Sequence, residues 1–166
     1  FKSNVGLTNP VGAVTELIDT WKNITIYDYL SAELKLFEKV TAKVSLGGSI
    51  GNNHNQNFTP RSLVNLANGY GSAGQRYNSS VNWANENQLT YVSKISDDHN
   101  IKATGFFSQE FSRYEGFAAS NQLLLTEILT YNNLNLNDTM QTVGSYVNQQ
   151  TLMSLGARFD YNFKNK

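Results

Sequence analysis

Two runs of alternating residues meet at a turn within positions 81–112, and that meeting restricts the chain more than any other feature. Val81, Trp83, Leu89, Tyr91 and Ile95 occupy odd positions, with Glu86, Gln88, Thr90 and Lys94 on the even ones. Asp97, Asp98, His99 and Asn100 form a cluster of turn formers. Beyond it the odd set resumes as Ile101, Ala103, Gly105, Phe107 and Phe111, and the even set as Lys102, Thr104, Ser108 and Glu110. A period of two marks a strand with one apolar and one polar face. Keeping both odd rows on one face predicts a hairpin in which Ile95 faces Ile101, because a slip of one residue would invert every side chain. That register sets Tyr91 over Gly105 and Leu89 beside Phe107. It also opposes like charges on the polar face, Lys94 with Lys102 and Glu86 with Glu110. Phe106 is an apolar residue on the polar row.

The same alternation recurs on either side. Ile24, Ile26, Leu30, Ala32, Leu34 and Leu36 alternate with Thr25, Tyr27, Tyr29, Ser31, Glu33 and Lys35, and Asp28 is the one acid on the apolar row. A turn at 37–39 leads to Val40, Ala42, Val44, Leu46 and Ile50. A hairpin over 22–50 follows, with Leu36 facing Val40 and Glu33 facing Lys43 as an opposite-charge pair. Near the end, Leu155, Ala157, Phe159, Tyr161 and Phe163 alternate with Gly156, Arg158, Asp160, Asn162 and Lys164. The polar stretches 51–80 and 116–149 read as long loops, the second holding a short helix at 122–129. An irregular lead-in carries a helical turn at 14–18.

Turn lengths then run short, long, short, long. Successive turns of a meander lie at opposite ends, so all the short turns fall at one end and all the long loops at the other. The fold class predicted is all-β, an antiparallel up-and-down meander of about five long strands from a transmembrane β-barrel. Predicted strand lengths of ~13 to 16 residues exceed both the ~9 to 11 that cross lipid and the ~5 to 6 common in soluble sheets. The mean hydropathy of −0.41 does not oppose this, since only alternate residues of a barrel strand touch lipid. Thirteen basic residues balance thirteen acidic ones, which leaves no basic field for nucleic acid. The chain has no Cys, and so no disulfide framework or thiolate metal site. Its 166 residues make one segment, 1–166, and Phe1 follows neither a start methionine nor a signal segment, so the expectation is a piece of a longer protein.

Several runs resemble the SusC-like TonB-dependent transporters: VTAKVSLG at 40–47, NW at 82–83 followed by ENQLTY at 86–91, DHNIKATGF at 98–106, ARFDYNFKNK at 157–166, and NP at 9–10. The resemblance implies an outer-membrane barrel of about 22 strands with an internal plug, of which this chain would hold about five. It further implies a SusD-like surface lipoprotein as partner, energy passed on by TonB, and import of glycans or peptides. The plug and the TonB-contacting segment are expected to lie outside this chain. On such a wall the polar rows line the lumen, which makes Glu33, Lys43, Glu86, Gln88, Lys102, Glu110, Arg158 and Asp160 the lumen-facing candidates. Tyr70 and Tyr77 are candidates for stacking on sugar rings, and Trp83 fits an interfacial aromatic girdle facing outer-membrane lipid.

Motifs for chemistry fail on context. Gly47, Ser49 and Gly51 match a nucleophile elbow, but alternation runs straight through Ser49 where a strand, a strained turn and a helix are needed. Gly69, Gly71 and Gly74 match a dinucleotide fingerprint, yet a strand follows where a helix is required. His54 and His99 fall at opposite ends of the meander, and Asp97 with Asp98 reads as turn chemistry. The sequons at Asn23, Asn57, Asn78 and Asn137 arise by chance in an Asn-rich chain. No catalytic residue, cofactor or metal is expected. The rival architecture is a soluble β-sandwich carbohydrate-binding module, which explains the alternation but not the strand lengths or the segregation of turns. An isolated five-strand piece, with two open edges and an uncovered apolar row, is expected to self-associate.

Overall fold

The computed structural model describes residues 10–64, 70–135 and 141–164. A six-residue helix, α1 (Pro10–Thr15), precedes β1 (Ile18–Phe37) and β2 (Val40–Thr59). After a 3-10 turn at Arg61–Leu63 come β3 (Ser72–Ser96) and β4 (His99–Asn121). A second 3-10 turn at Thr130–Asn132 precedes β5 (Gln141–Phe163). The five strands form one sheet in the order β1-β2-β3-β4-β5, the expected antiparallel meander.

The strands are 20 to 25 residues long, well beyond the expectation. Most of 51–80 is strand, since β2 runs on to Thr59 and β3 starts at Ser72. Most of 116–149 belongs likewise to β4 and β5. Over 51–57 and 74–80 both faces are largely polar, so no apolar alternation marks the strand there, and in β4 and β5 the odd apolar row goes on only through Phe117, Ala119, Val143 and Val147. Side chains bond across the ladder instead: Asn53 to Asn23, Asn55 Nδ2 to Asp19 Oδ1 at 2.7 Å, Tyr77 Oη to Asn52 Oδ1 at 2.7 Å, and His54 with Gln75 at 3.2 Å. At roughly 3.3 Å per residue, such strands outreach the ~25 Å apolar band of a barrel. The helical turn expected at 14–18 lies earlier, at Pro10–Thr15, overlapping it at Val14 and Thr15, and proline suits a first helical turn. No helix forms at 122–129.

The first hairpin keeps the expected register, since Tyr29 against Gly47 and Asn23 bonded to Asn53 belong to the pairing that sets Leu36 opposite Val40, while the second differs. The first turn is Glu38 and Lys39, with strand on either side from Phe37 and Val40. The second is Asp97 and Asp98, bracketed by Ser96 and His99 in place of Ile95 and Ile101. Farther along the strands the faces nevertheless fall as predicted. Tyr29 lies against Gly47, Trp83 stacks on Phe111 at 5.7 Å, and Ser112 Oγ donates to Asn82 Oδ1 at 2.7 Å. In β3 and β4 the contact partners sit two residues from the expected ones. Nothing comes within 4 Å of a Cβ placed on Gly105, so Tyr91 does not cover it. The shift also relieves the like-charge oppositions, because Glu86 now shares a hollow with Ser108 and Glu110 shares one with Ala84.

Contacts across β2 and β3 join even residues to odd ones: Gly48 meets Trp83, and Asn82 donates to Ser49. The even apolar rows of β1 and β2 therefore share a face with the odd apolar rows of β3 to β5. Contacts divide the chain into two units. One, the turn-end unit, holds Thr25–Ile50, Ser80–Tyr114 and Asn148–Lys166. Its apolar row is open, with Ile26 65%, Leu34 64% and Leu155 85% exposed. The other, the loop-end unit, holds Phe1–Ile24, Gly51–Ser79 and Glu115–Val147. It encloses a small core of Phe58, Ala73 and Leu124, with Ile18, Tyr131 and Leu134 packed against it.

Candidate functional site

On the polar face of the turn-end unit, β3, β4 and β5 bring five predicted residues together. Glu86, Gln88, Lys102, Arg158 and Asp160 line one hollow of about 440 Å³, beside Phe106. Arg158 Nη2 pairs with Asp160 Oδ1 at 2.8 Å, two residues along the same row. The misfit Phe106 has a local cause. Its ring lies over Gly156 of β5, in the space a side chain there would fill, so the aromatic ring covers a glycine on the neighbouring strand. The result is an aromatic wall between mixed charges, able to bond polar ligands of either sign.

The remaining predicted residues stand elsewhere. Glu110 lines a separate hollow with Tyr27, Ser49, Asn82 and Gln150. Among the described residues no ion pair joins Glu33 to Lys43. Tyr70 is exposed just ahead of β3. Tyr77 lies on the odd row of β3, bonded to Asn52 and edge-on to His54 at 6.5 Å between ring centroids. Neither tyrosine joins the charged hollow.

The motif positions take structural parts. Ser49 sits inside β2 and accepts from Asn82 Nδ2 at 3.3 Å, while Gly48 lets the backbone of β3 approach closely. Gly71 accepts a bond from Leu124 N at 3.2 Å, so the glycine-rich stretch anchors the connection after β4, and Gly69 lies outside the described residues. His99 Nδ1 is 2.5 Å from Tyr161 Oη, and Lys94 pairs with Asp97 at 3.0 Å. Asn23, Asn57 and Asn78 all fall within strands, and Asn137 lies outside the described residues.

Sequence reasoning missed a second polar cluster in the loop-end unit, which includes Asp19, Trp21, Asn55, Asn57 and Arg76. The signal was present as Asn53, Asn55 and Asn57 at alternate positions, a period of two written in one polar residue type.

One sheet of five neighbouring antiparallel strands, open on an apolar face and charged on the other, with two-residue turns at one end, is a portion of a transmembrane β-barrel wall. No protein-family model matches the chain. Over 160 residues it is 28% identical to TonB-dependent receptor P3 of Formosa agariphila, covering 96% of this chain and 16% of that protein. Over 147 residues it is 32% identical to TonB-dependent receptor P39 of the same bacterium, covering 86% and 14%. Its fold matches the RagAB peptide transporter with a TM-score of 0.82 at 17% identity, over 94% of this chain and 17% of that one. The RagAB peptide importer in its open-open state matches at 0.81 and 15%, over 93% and 17%. The chain thus corresponds to a barrel segment of the TonB-dependent receptor type, and it spans about a sixth of the length of the relatives it matches.

Proposed function

We propose that this chain is part of the wall of an outer-membrane, SusC-like TonB-dependent transporter that imports glycans or other nutrients, such as peptides, with a SusD-like lipoprotein as partner. The observation that carries this reading is the apolar row. It continues across all five strands, and Ile26, Leu46, Leu89, Phe107 and Leu155 on it, one from each strand, are exposed, an arrangement that costs free energy in water and none in lipid. A soluble sandwich would need a second sheet over that row, and the five strands form one sheet. In this reading 1–166 is a single barrel segment, the plug belongs to other parts of the receptor, and Glu33, Lys43, Glu86, Gln88, Lys102, Glu110, Arg158 and Asp160 face the lumen. The role is transport and not catalysis. Isolated from its neighbours, the segment associates with copies of itself through its edges and apolar face.

The test is made on the intact receptor in its own cells. It should fractionate with the outer membrane, co-purify with a surface lipoprotein, and lose nutrient uptake when TonB is removed. Recovery from the soluble fraction as a monomer without detergent would overturn the reading in favour of the sandwich.

A further inference from the structure

The loop-end unit carries a cleft of about 470 Å³ on its polar face. Asp19 and Trp21 of β1, Asn55 and Asn57 of β2, and Arg76 of β3 border it, and Gly74 lies in its floor. Asn55 is only 6% exposed and organises the rest. Its Nδ2 donates to Asp19 Oδ1 at 2.7 Å and to the Thr20 carbonyl at 3.3 Å, while its Oδ1 accepts from Asn57 Nδ2 at 3.3 Å. This relay holds three side chains in fixed orientation. It leaves Asn57 Oδ1 and one carboxylate oxygen of Asp19 without a protein partner among the described residues. Gly74 makes room for the Asn57 amide, which a Cβ there would meet at 3.1 Å. Trp21 is 53% exposed, and neither its indole N–H nor the Arg76 guanidinium has a partner among the described residues.

We propose that this cleft is a subsite for a neutral pyranose sugar, a proposal that rests on the transport reading and adds to it a place and a ligand class. Trp21 offers a flat apolar surface to the C–H face of the ring. The Asn57 amide and the Asp19 carboxylate supply an adjacent acceptor and donor set for a pair of neighbouring hydroxyls, and Arg76 adds donors at the other side. One acid and one base leave the site close to neutral, which suits an uncharged ligand. A peptide would instead be held through backbone bonds at a free strand edge or through apolar pockets. Here β2 and β3 each have neighbours on both sides, and apart from Leu17, Ile18 and Trp21 at the β1 side the lining is polar or small.

The intact receptor in detergent is titrated calorimetrically with cello-, malto-, xylo- and laminarihexaose, and separately with a tryptic peptide mixture. At least one hexasaccharide should bind, Trp21→Ala should abolish that binding, and Asn57→Ala should weaken it about tenfold. Trp83→Phe, outside the cleft lining, should leave it unchanged. Asn57 is exposed, so its variant keeps the test valid should Trp21→Ala fail to assemble. The proposal is overturned if a correctly inserted receptor binds none of the four sugars. It is equally overturned if both variants bind as the parent does, or if the peptide mixture alone binds and is lost in the same variants. Absence of the receptor from the outer membrane would instead refute the transport reading.

Discussion

In the turn-end unit Ser45 is the one buried residue described, whereas the loop-end unit encloses Phe58, Ala73 and Leu124 beneath the connection that follows β4. The first unit has strict apolar alternation and no core of its own; the second has polar residues on both faces of much of its strand and a core. An apolar row needs no protein cover where lipid supplies it. Strand that projects into water must bring its own packing, and here the chain between β4 and β5 provides it. Leu124 inserts its side chain, Asn121 donates to the Leu134 carbonyl at 3.0 Å, and Glu127 accepts from Arg61 N at 2.6 Å.

The sharpest way to break this contrast is to remove equal amounts of side chain from both units. Leu124→Ala should destabilise the connection after β4 by about 2 to 5 kcal/mol, because it leaves a cavity in a closed core. Limited proteolysis in detergent should then cut within 122–135. Leu34→Ala, on the exposed row, should change unfolding by less than about 0.5 kcal/mol, and equal effects at the two sites would end the distinction.

Glycines give the next largest effect. A Cβ on Gly116 would lie 2.5 Å from Tyr146 Cζ and 2.6 Å from Asn78 Oδ1, so Gly116→Ala should cost about 1 to 3 kcal/mol in urea unfolding. Tyr146→Ala in the same chain should recover part of that loss. Gly105, with open space around its Cβ position, should accept alanine without loss.

Smallest are the ion pairs. Glu127→Gln removes the Arg61 pair and weakens the bond to the Arg61 backbone, and should loosen the connection by about 1 kcal/mol. Lys94→Ala breaks a pair whose acid is fully exposed and should leave the unfolding midpoint where it was at any salt concentration.

The alternation made the strands of the turn-end unit, their order and their faces legible, because lipid contact writes an apolar residue at every second position. It was silent on strand ends, since Asn52 to Asn57 carry the same polarity on both faces. Five of the eight charged or polar candidates meet in one hollow because residues two apart on neighbouring strands necessarily share a face. Asp19, Trp21 and Asn55 went unread for the reason that hid the strand ends. Register was misjudged in one direction only: contacts between β3 and β4 moved by two residues and never by one.

That two-residue error exposes a problem the molecule itself must solve. Sliding one strand past its neighbour by two positions returns every side chain to its proper face, so amphipathicity cannot count. Steric indexing can. Tyr29 over Gly47, Phe106 over Gly156 and Tyr146 over Gly116 place a broad ring where the adjacent strand has no side chain. Displacement by two would drive each ring against a bulkier residue. The three contacts act like the teeth of a vernier, permitting one alignment among several that greasy and wet faces would accept equally.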